Sequence, residues 1–236
     1  EIFTAVNNGS PLPKTNALNE FEYTEWFESL KKDYDAVVHI GLSSGLSSSY
    51  SNSVRAAESL ENVYSVDSKN LTTGIGLLAI YARKLANEGL DAKTIAQKVS
   101  ERTASVQASF VIERLDYLFK GGRCSSLQYF GANLLKLRPR IVVKDGKMSS
   151  DKKYRGQMSK VVQKYCEDTL AEFNTPDLDM AFVTYSSATP DMIDEAKKAL
   201  NEAGFKNVYE TTAGCTVASH CGANTLGILY FNDGNK

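Results

Sequence analysis

The chain has 236 residues, of which 42% are hydrophobic and 23% are charged, and its formal net charge is -1. This composition is typical of a globular protein with one large or two modest domains, and the lack of a basic excess argues against a nucleic-acid surface. No apolar stretch reaches the roughly 18 residues of a membrane helix, and no signal-peptide pattern opens the chain. We therefore expect a cytoplasmic protein without a transmembrane segment.

The first 32 residues predict two helices separated by a loop. Ile2, Phe3 and Val6 form a short helical stripe, and residues 9–13 combine Gly, Ser and Pro as loops do. An amphipathic helix follows, and Asn19 is placed to be its N-cap.

Residues 36–57 are the most informative stretch of the sequence. Residues 36–42 form a short apolar run of the length of a buried strand. Apolar residues then recur at spacings of four, four and three, which predicts a helix with one apolar face. These residues are Leu46, Tyr50, Val54 and Ala57. The candidates for the N-cap of this helix are Ser47, Ser48 and Ser49.

The turn between this strand and helix is a candidate anion site. The first N–H groups of a helix lack intrahelical partners and attract negative charge, and Ser43, Ser44 and Ser47 add hydroxyl groups. No Lys or Arg occurs between Tyr34 and Arg55. We therefore expect neutral donors that suit a single carboxylate better than a polyphosphate. The alternative is a serine-rich turn that only caps its own helix.

Strands and helices alternate up to about residue 108. A strand over 63–66 precedes helices over 71–87 and 90–105, the second with Asp91 as its cap, so we expect a parallel sheet covered by helices. The spacing of Gly74 and Gly76 is similar to a dinucleotide fingerprint. However, seven residues separate the strand from Gly74, and no acidic residue ends a following strand, which favours close helix packing.

From Ala108 onward the pattern indicates a second domain. We predict a strand that starts at Ser109 and continues through Leu118 toward a sharp basic turn at 120–123, then a helix over 129–137. An Asp-Gly turn predicts a hairpin over 139–148. Further elements are a helix over 158–173, a strand over 179–185, a helix over 190–203, and strands over 208–211 and 225–231. The prediction is thus α/β with two domains: a parallel-sheet α/β domain (1–108) and an α+β domain (109–236) with a mixed or antiparallel sheet.

The sequence contains few groups for catalysis. His39 lies inside an apolar strand and is expected to be a hydrogen-bonded core imidazole. His220 lies in an irregular stretch before the last strand, where a functional and a merely exposed histidine remain equal alternatives. A serine hydrolase or esterase using Ser44 and His220 is the alternative function, although no G-x-S-x-G elbow and no acidic partner stand out.

The cysteines do not point to a metal or a cofactor. Cys124, Cys166, Cys215 and Cys221 lack the spacing of metal ligands and fit free thiols, although disulfides are not excluded. We expect neither a metal nor a cofactor.

Six short motifs occur in an order that resembles the DegV family of fatty-acid-binding proteins, and together they span nearly the whole chain. They are Ser43-Ser44-Gly45-Leu46-Ser47-Ser48-Ser49-Tyr50, Val66-Asp67-Ser68 with Gly74-x-Gly76, Leu115-x-Tyr117-Leu118-x-Lys120-Gly121-Gly122-Arg123, Asp145-Gly146-Lys147, Tyr154-Arg155-Gly156 and His220-x-Gly222.

The resemblance implies a bacterial carrier and not an enzyme. In this family an α/β and an α+β domain enclose an apolar tunnel for a long-chain fatty acid. The carrier presents the carboxylate to a fatty acid kinase, and the acyl phosphate enters phospholipid synthesis. This role leaves room for transient membrane contact. The family also begins with a strand that precedes the point matching Glu1, so we expect a truncated or clipped product without that strand.

The resemblance also assigns site residues. It implies ligand contacts from Thr15, Asn16, Ser43, Ser44, Ser47 and His220. It implies contacts with the kinase from Arg155 and from Arg123. The family's Thr-Ser-Gln-Pro-Ser and His-x-Gly-Pro-Gly motifs are Thr15-Asn16-Ala17-Leu18-Asn19 and His220-Cys221-Gly222-Ala223-Asn224 here, which affects the shape of the head-group site.

Overall fold

The computed structural model describes residues 1–124 and 137–234. The chain divides into two compact units. The larger unit comprises Glu1–Thr15, Gln107–Lys144 and Met148–Lys236, and the smaller unit comprises Asn16–Val106 and Asp145–Lys147. The predicted domains 1–108 and 109–236 stay predictions, and these units divide the chain differently at three places: residues 1–15, 107–108 and 145–147.

The described helices and strands follow one another through both units. In chain order they are α1 (Ile2–Asn7), α2 (Glu20–Lys31), β1 (Val37–Gly41), α3 (Ser49–Glu58), β2 (Val63–Asp67), α4 (Thr73–Asn87), α5 (Ala92–Arg102), β3 (Val106–Val111), α6 (Leu115–Gly121), β4 (Arg138–Lys144), β5 (Lys147–Tyr154), α7 (Met158–Glu172), β6 (Ala181–Ser186), α8 (Pro190–Glu202), β7 (Val208–Thr212), α9 (Cys215–Cys221) and β8 (Thr225–Phe231). None of these helices combines the length and the apolar character that a membrane crossing requires.

The smaller unit is built on two parallel strands, β1 and β2, in a register that pairs Val37 with Val63 and Gly41 with Asp67. Helix α2 begins with a capping box, because the Asn19 side chain accepts the Glu22 N–H at 2.9 Å while the Glu22 carboxylate accepts the Asn19 N–H at 2.8 Å. The predicted parallel sheet and the Asn19 cap are therefore confirmed.

The larger unit contains a six-stranded mixed sheet with the order β5-β4-β3-β8-β6-β7. Strand β6 runs parallel to β7 and antiparallel to β8, and β3 and β4 are antiparallel. All seven residues of β8 are buried. The fully buried Tyr165 of α7 donates its hydroxyl proton to the Ser109 carbonyl (2.7 Å) and accepts the Ile228 N–H (3.0 Å), so its polar group is satisfied inside the core.

The structure corrects the prediction for the segment after β3. Residues 115–121 form a helix and not an extended strand, because Leu115, Leu118 and Gly121 recur every three residues and are all buried. Gly122 ends this helix in the left-handed conformation, with φ +65°. Most of the helix predicted over 129–137 lies outside the described residues.

A buried arginine that the sequence did not reveal lies in β4. The Arg140 side chain is fully buried, and its guanidinium donates to Asp151 (Nε, 2.9 Å), Glu172 (2.5 Å) and the Thr169 hydroxyl (3.3 Å). A buried charge is tolerated when its donors are matched by acceptors in this way. The salt bridges therefore hold β4, β5 and α7 together in the larger unit.

His39 of β1 is packed among aromatic rings. The rings of Tyr23, Trp26 and Phe27 lie 5.3, 5.7 and 5.6 Å from its own. Its Nε2 atom is buried and has no hydrogen-bond partner. The prediction of a hydrogen-bonded imidazole is therefore wrong for this atom. Burial lowers the pKa of His39 from 6.5 to about 4, because the charged form would lose its hydration.

We predict that His39 makes the protein less stable as the pH falls from about 6.5 to about 4. In this window the unfolded chain binds a proton that the folded chain does not, so the free energy of unfolding rises with pH, by up to roughly 3 kcal/mol across the window. Urea unfolding at several pH values should show this slope, and His39→Phe should flatten it. The only other histidine provides the control, since His220→Gln should keep most of the slope. An unchanged slope in His39→Phe would contradict the prediction.

Candidate functional site

The turn after β1 is held by the buried Ser43. Its hydroxyl donates to the Gly146 carbonyl at 2.7 Å and accepts the Gly45 N–H at 3.1 Å. Its backbone N–H donates to the Asn70 carbonyl at 3.0 Å. Because its single hydroxyl proton is donated to the Gly146 carbonyl, the Ser43 side chain helps to fix this turn.

Asp67, the last residue of β2, fixes the neighbouring Ser44 and Lys69. Its Oδ1 accepts the Ser44 N–H at 3.2 Å and the Lys69 N–H at 3.0 Å, and its Oδ2 pairs with the Lys69 ammonium at 2.8 Å. Burial raises the pKa of Asp67, but the hydrogen bonds from Lys69 and Ser44 outweigh it, and the pKa lies below its usual value. Asp67 is therefore a negative charge at neutral pH.

Lys69 overturns the expectation that this turn has no cation. Its ammonium lies 3.3 Å from the Ser44 hydroxyl, and the hydrogen bond with Asp67 raises its pKa. Its backbone adopts φ +51°, a conformation that L residues rarely take. The sequence signal was available, because parallel strands end at the same edge of a sheet and residues after β2 must lie beside those after β1.

Of the remaining serines of the turn, Ser47 accepts a hydrogen bond from the first residue of helix α3. The Ser47 hydroxyl accepts the Ser49 N–H at 3.1 Å and lies 3.0 Å from the Ser49 hydroxyl. Ser48 occupies the N-cap position without a side-chain hydrogen bond to the helix. The alternative of a self-capping turn thus describes Ser47, whereas the exposed Ser44 has no capping role.

A cavity of about 620 Å³ opens at Ser44, Asp67 and Lys69 within the smaller unit. This volume lies in the range of small-molecule pockets, roughly 300–1,000 Å³. Its walls come from α3, β2 and α5 and include the apolar side chains of Val54, Ala57, Val63, Val66 and Ala96. The cavity lining therefore mixes charged and hydroxyl-bearing side chains with apolar ones.

In the larger unit, the structure brings together Thr15 and His220, which are 205 positions apart. Thr15 Oγ1 and His220 Nε2 form a hydrogen bond of 2.8 Å. His220 belongs to helix α9, which corrects the expected irregular stretch. Burial, and then the charge of Arg123, lower the pKa of His220, so this imidazole is neutral at pH 7. Its Nδ1 is buried without a hydrogen-bond partner.

A second cavity, of about 370 Å³, lies beside this pair in the larger unit. Lys14, Lys120 and Arg123 line it together with Thr15 and His220, and none of the lining residues that the structure describes is acidic. Arg123 also donates to the Gly121 carbonyl at 2.5 Å. The surroundings of Thr15 and His220 are therefore positively charged and suited to an anion.

The other predicted residues are exposed. Asn16 belongs to the smaller unit and Arg155 follows β5 in the larger unit, and both lie at the surface. The roles predicted for Asn16, Ser43, Ser44, Ser47, Thr15 and His220 as ligand contacts, and for Arg155 and Arg123 as partner contacts, stay predictions.

The described residues offer little of the machinery of catalysis. Neither ring nitrogen of His220 contacts a carboxylate, since one bonds Thr15 and the other has no partner. No group of three or more His, Cys, Asp or Glu side chains in residues 1–124 and 137–234 could hold a metal ion. All four cysteines are free thiols, of which only Cys215 is exposed.

Comparison with known proteins identifies the family. The model of the DegV family, described as "Uncharacterised protein, DegV family", matches residues 1–233. The chain belongs to the DegV family. The motif-based resemblance is thereby confirmed.

Several DegV relatives are similar over nearly the whole chain. DegV domain-containing protein TTE1491 of Caldanaerobacter subterraneus is 27% identical over 235 residues, which are 98% of this chain and 82% of the relative. The DegV structure of Bacillus subtilis, described as a fatty acid binding protein, matches with TM-score 0.78 and 27% identity, covering 98% of this chain and 83% of that one. A DegV lipid binding protein of Thermotoga maritima matches with TM-score 0.83 and 25% identity, covering 98% and 81%.

We predict that Gly146→Ala destabilises this DegV protein more than Gly89→Ala does. Both glycines have positive φ, +78° and +86°, so both variants bear a similar backbone strain. A Cβ on Gly146 would lie 2.5 Å from the Ser43 hydroxyl, whereas a Cβ on Gly89 would meet nothing within 4 Å. Disrupting the Ser43 hydrogen bond should add about 1–3 kcal/mol to the loss. Urea unfolding of both variants measures the difference, and equal losses would contradict the account of the Ser43 contact.

Proposed function

We propose that this DegV family protein binds a long-chain fatty acid and carries it without changing it chemically. The observation that carries the proposal is the exposed Ser44 hydroxyl, which lies beside the Lys69 ammonium and lines a cavity that also contains apolar side chains. The proposal is supported by the Bacillus subtilis relative, which is described as a fatty acid binding protein, and by the Thermotoga maritima relative, described as a lipid binding protein.

The head group would be held by hydroxyl groups. In the smaller unit Ser44 supplies a hydroxyl, and in the larger unit Thr15 and the neutral His220 supply a second hydrogen-bonded pair. Hydrogen bonds to a carboxylate are worth about 1.5–3 kcal/mol each. That both groups meet at one carboxylate, and that the acyl chain occupies a tunnel between two domains, stay predictions.

Affinity and orientation would come from different parts of the ligand. Burying an acyl chain of about fifteen carbons, at roughly 0.8 kcal/mol per methylene, yields on the order of 12 kcal/mol before the costs of association. The hydroxyl contacts contribute less in total. The acyl chain would thus set the affinity, and the serine turn would fix which end of the molecule is presented.

The hydrolase alternative has less support. A serine hydrolase needs an imidazole that is oriented by an acidic group and hydrogen-bonded to the serine. His220 is hydrogen-bonded to Thr15, and the Ser44 hydroxyl accepts a bond from Lys69. Labelling of the protein by a fluorophosphonate probe at Ser44 would favour the hydrolase over the carrier.

We expect Ser44→Ala to lower the affinity for a fatty acid by about 10- to 100-fold, because the carboxylate loses one charge-assisted hydrogen bond. Ser51→Ala is the matched control, since Ser51 lies in the same segment and its hydroxyl bonds only the Ser48 carbonyl. Titration with a fluorescent fatty acid measures both variants.

Mass spectrometry of an organic extract of the purified protein should show a fatty acid. A clean extract together with no uptake of added fatty acid would refute the proposal.

We also propose that a fatty acid kinase is the partner, and that Arg155 and Arg123 contact it. Both guanidinium groups belong to exposed residues of the larger unit and could pair with acidic side chains. Arg155→Ala should leave the fatty-acid affinity unchanged and slow phosphorylation of the bound fatty acid by such a kinase about tenfold or more. Lys160→Ala, another exposed cation nearby in the sequence, is the control. Equal rates for the Arg155 variant and the wild type would contradict this role.

A further inference from the structure

We propose that Lys69 makes the Ser44 site selective for a carboxylate head group, by cancelling the charge of Asp67. This inference rests on the proposed function, because it concerns the same fatty acid. It adds a cationic residue to a turn for which the sequence predicted only neutral hydrogen-bond donors.

Backbone hydrogen bonds fix the negative charge of Asp67 in the site. Asp67 has a side chain only 10% exposed, and its Oδ1 accepts the N–H groups of both Ser44 and Lys69. These bonds hold the carboxylate directly beside the hydroxyl that would bind the ligand. Without compensation, Asp67 would repel a bound carboxylate, since like charges at short range disfavour each other.

The Lys69 ammonium compensates the charge of Asp67 directly beside Ser44. Its ammonium lies 2.8 Å from Asp67 Oδ2 and 3.3 Å from the Ser44 oxygen, so it contacts both groups at once. Asp145 also acts on Lys69 and raises its pKa, as does Tyr50. The ammonium is therefore charged at neutral pH, and it lines the same cavity as Ser44 and Asp67.

The hydrogen bonds tie the three residues of the site together. An ammonium group can only donate, so Ser44 Oγ is the acceptor in its bond with Lys69. Lys69 also donates to Asp67 Oδ2, and hydrogen bonding to the Ser44 side chain is among the interactions that favour the Asp67 carboxylate. Removing Lys69 would therefore leave a carboxylate charge beside Ser44 without its cation.

The test compares two probes that share a tail and differ in head charge, hexadecanoic acid and hexadecan-1-ol. Lys69→Met should weaken binding of the acid by about five- to tenfold and leave binding of the alcohol unchanged. Lys69→Arg should restore acid binding, because it keeps the charge and the donors. The double variant Asp67→Asn with Lys69→Met should also recover acid binding to within about twofold of the wild type, because it removes the repelling charge together with its partner.

Each outcome decides the question. An equal loss for acid and alcohol would show that Lys69 only supports the turn, and an unchanged acid affinity would show that it has no role; either result overturns the inference. A wild-type protein that binds neither probe would instead refute the proposed function. If Lys69→Met does not fold, as shown by the lack of a cooperative thermal transition, binding by the wild type is measured at increasing salt concentration instead. Added salt should then weaken binding of the acid and leave binding of the alcohol unchanged.

Discussion

The carboxylate of Asp67 is the group on which the serine turn depends. It accepts hydrogen bonds from the backbone of Ser44 and Lys69 and pairs with the Lys69 ammonium, so one side chain fixes the residues that follow both parallel strands. It also holds Lys69 in a left-handed conformation that the residue would otherwise avoid. The same carboxylate that builds the turn brings a negative charge into it. The Lys69 ammonium offsets this charge within the turn.

The two units present polar groups by different means. In the smaller unit, the groups follow the ends of strands β1 and β2 and are supported by backbone hydrogen bonds. In the larger unit, Thr15 and His220 form a pair of side chains in a cavity lined by three cations. The first arrangement balances its charges internally, whereas the second keeps an excess of positive charge. Both retain a neutral hydrogen-bonding group, Ser44 or His220, next to a cation, which is a combination suited to holding a carboxylate without a permanent salt bridge.

Most of the fold followed from periodicity. The alternation of strands and helices, the Asn19 and Asp91 caps and the Asp145-Gly146 hairpin are local signals, and the structure contains them all. The errors concern residues whose state is set by tertiary contacts. Residues 115–121 and 215–221 are helices of only seven residues each, and so short an apolar pattern does not distinguish a helix from a strand. Lys69 was missed because proximity in sequence was taken for proximity in space, and the missing partner of His39 Nε2 depends on three aromatic rings from another element.

The hydrogen bond from Ser43 to Gly146 spans 103 positions of the chain, although both residues belong to the smaller unit. Asn16–Val106 is completed by only three residues that come much later, Asp145–Lys147. During synthesis on the ribosome, the buried Ser43 hydroxyl must therefore wait for its acceptor until residue 146 has emerged. The serine turn is thus among the last parts of the smaller unit to reach its final form, because a nascent chain that stops before this point lacks the acceptor of the Ser43 hydroxyl.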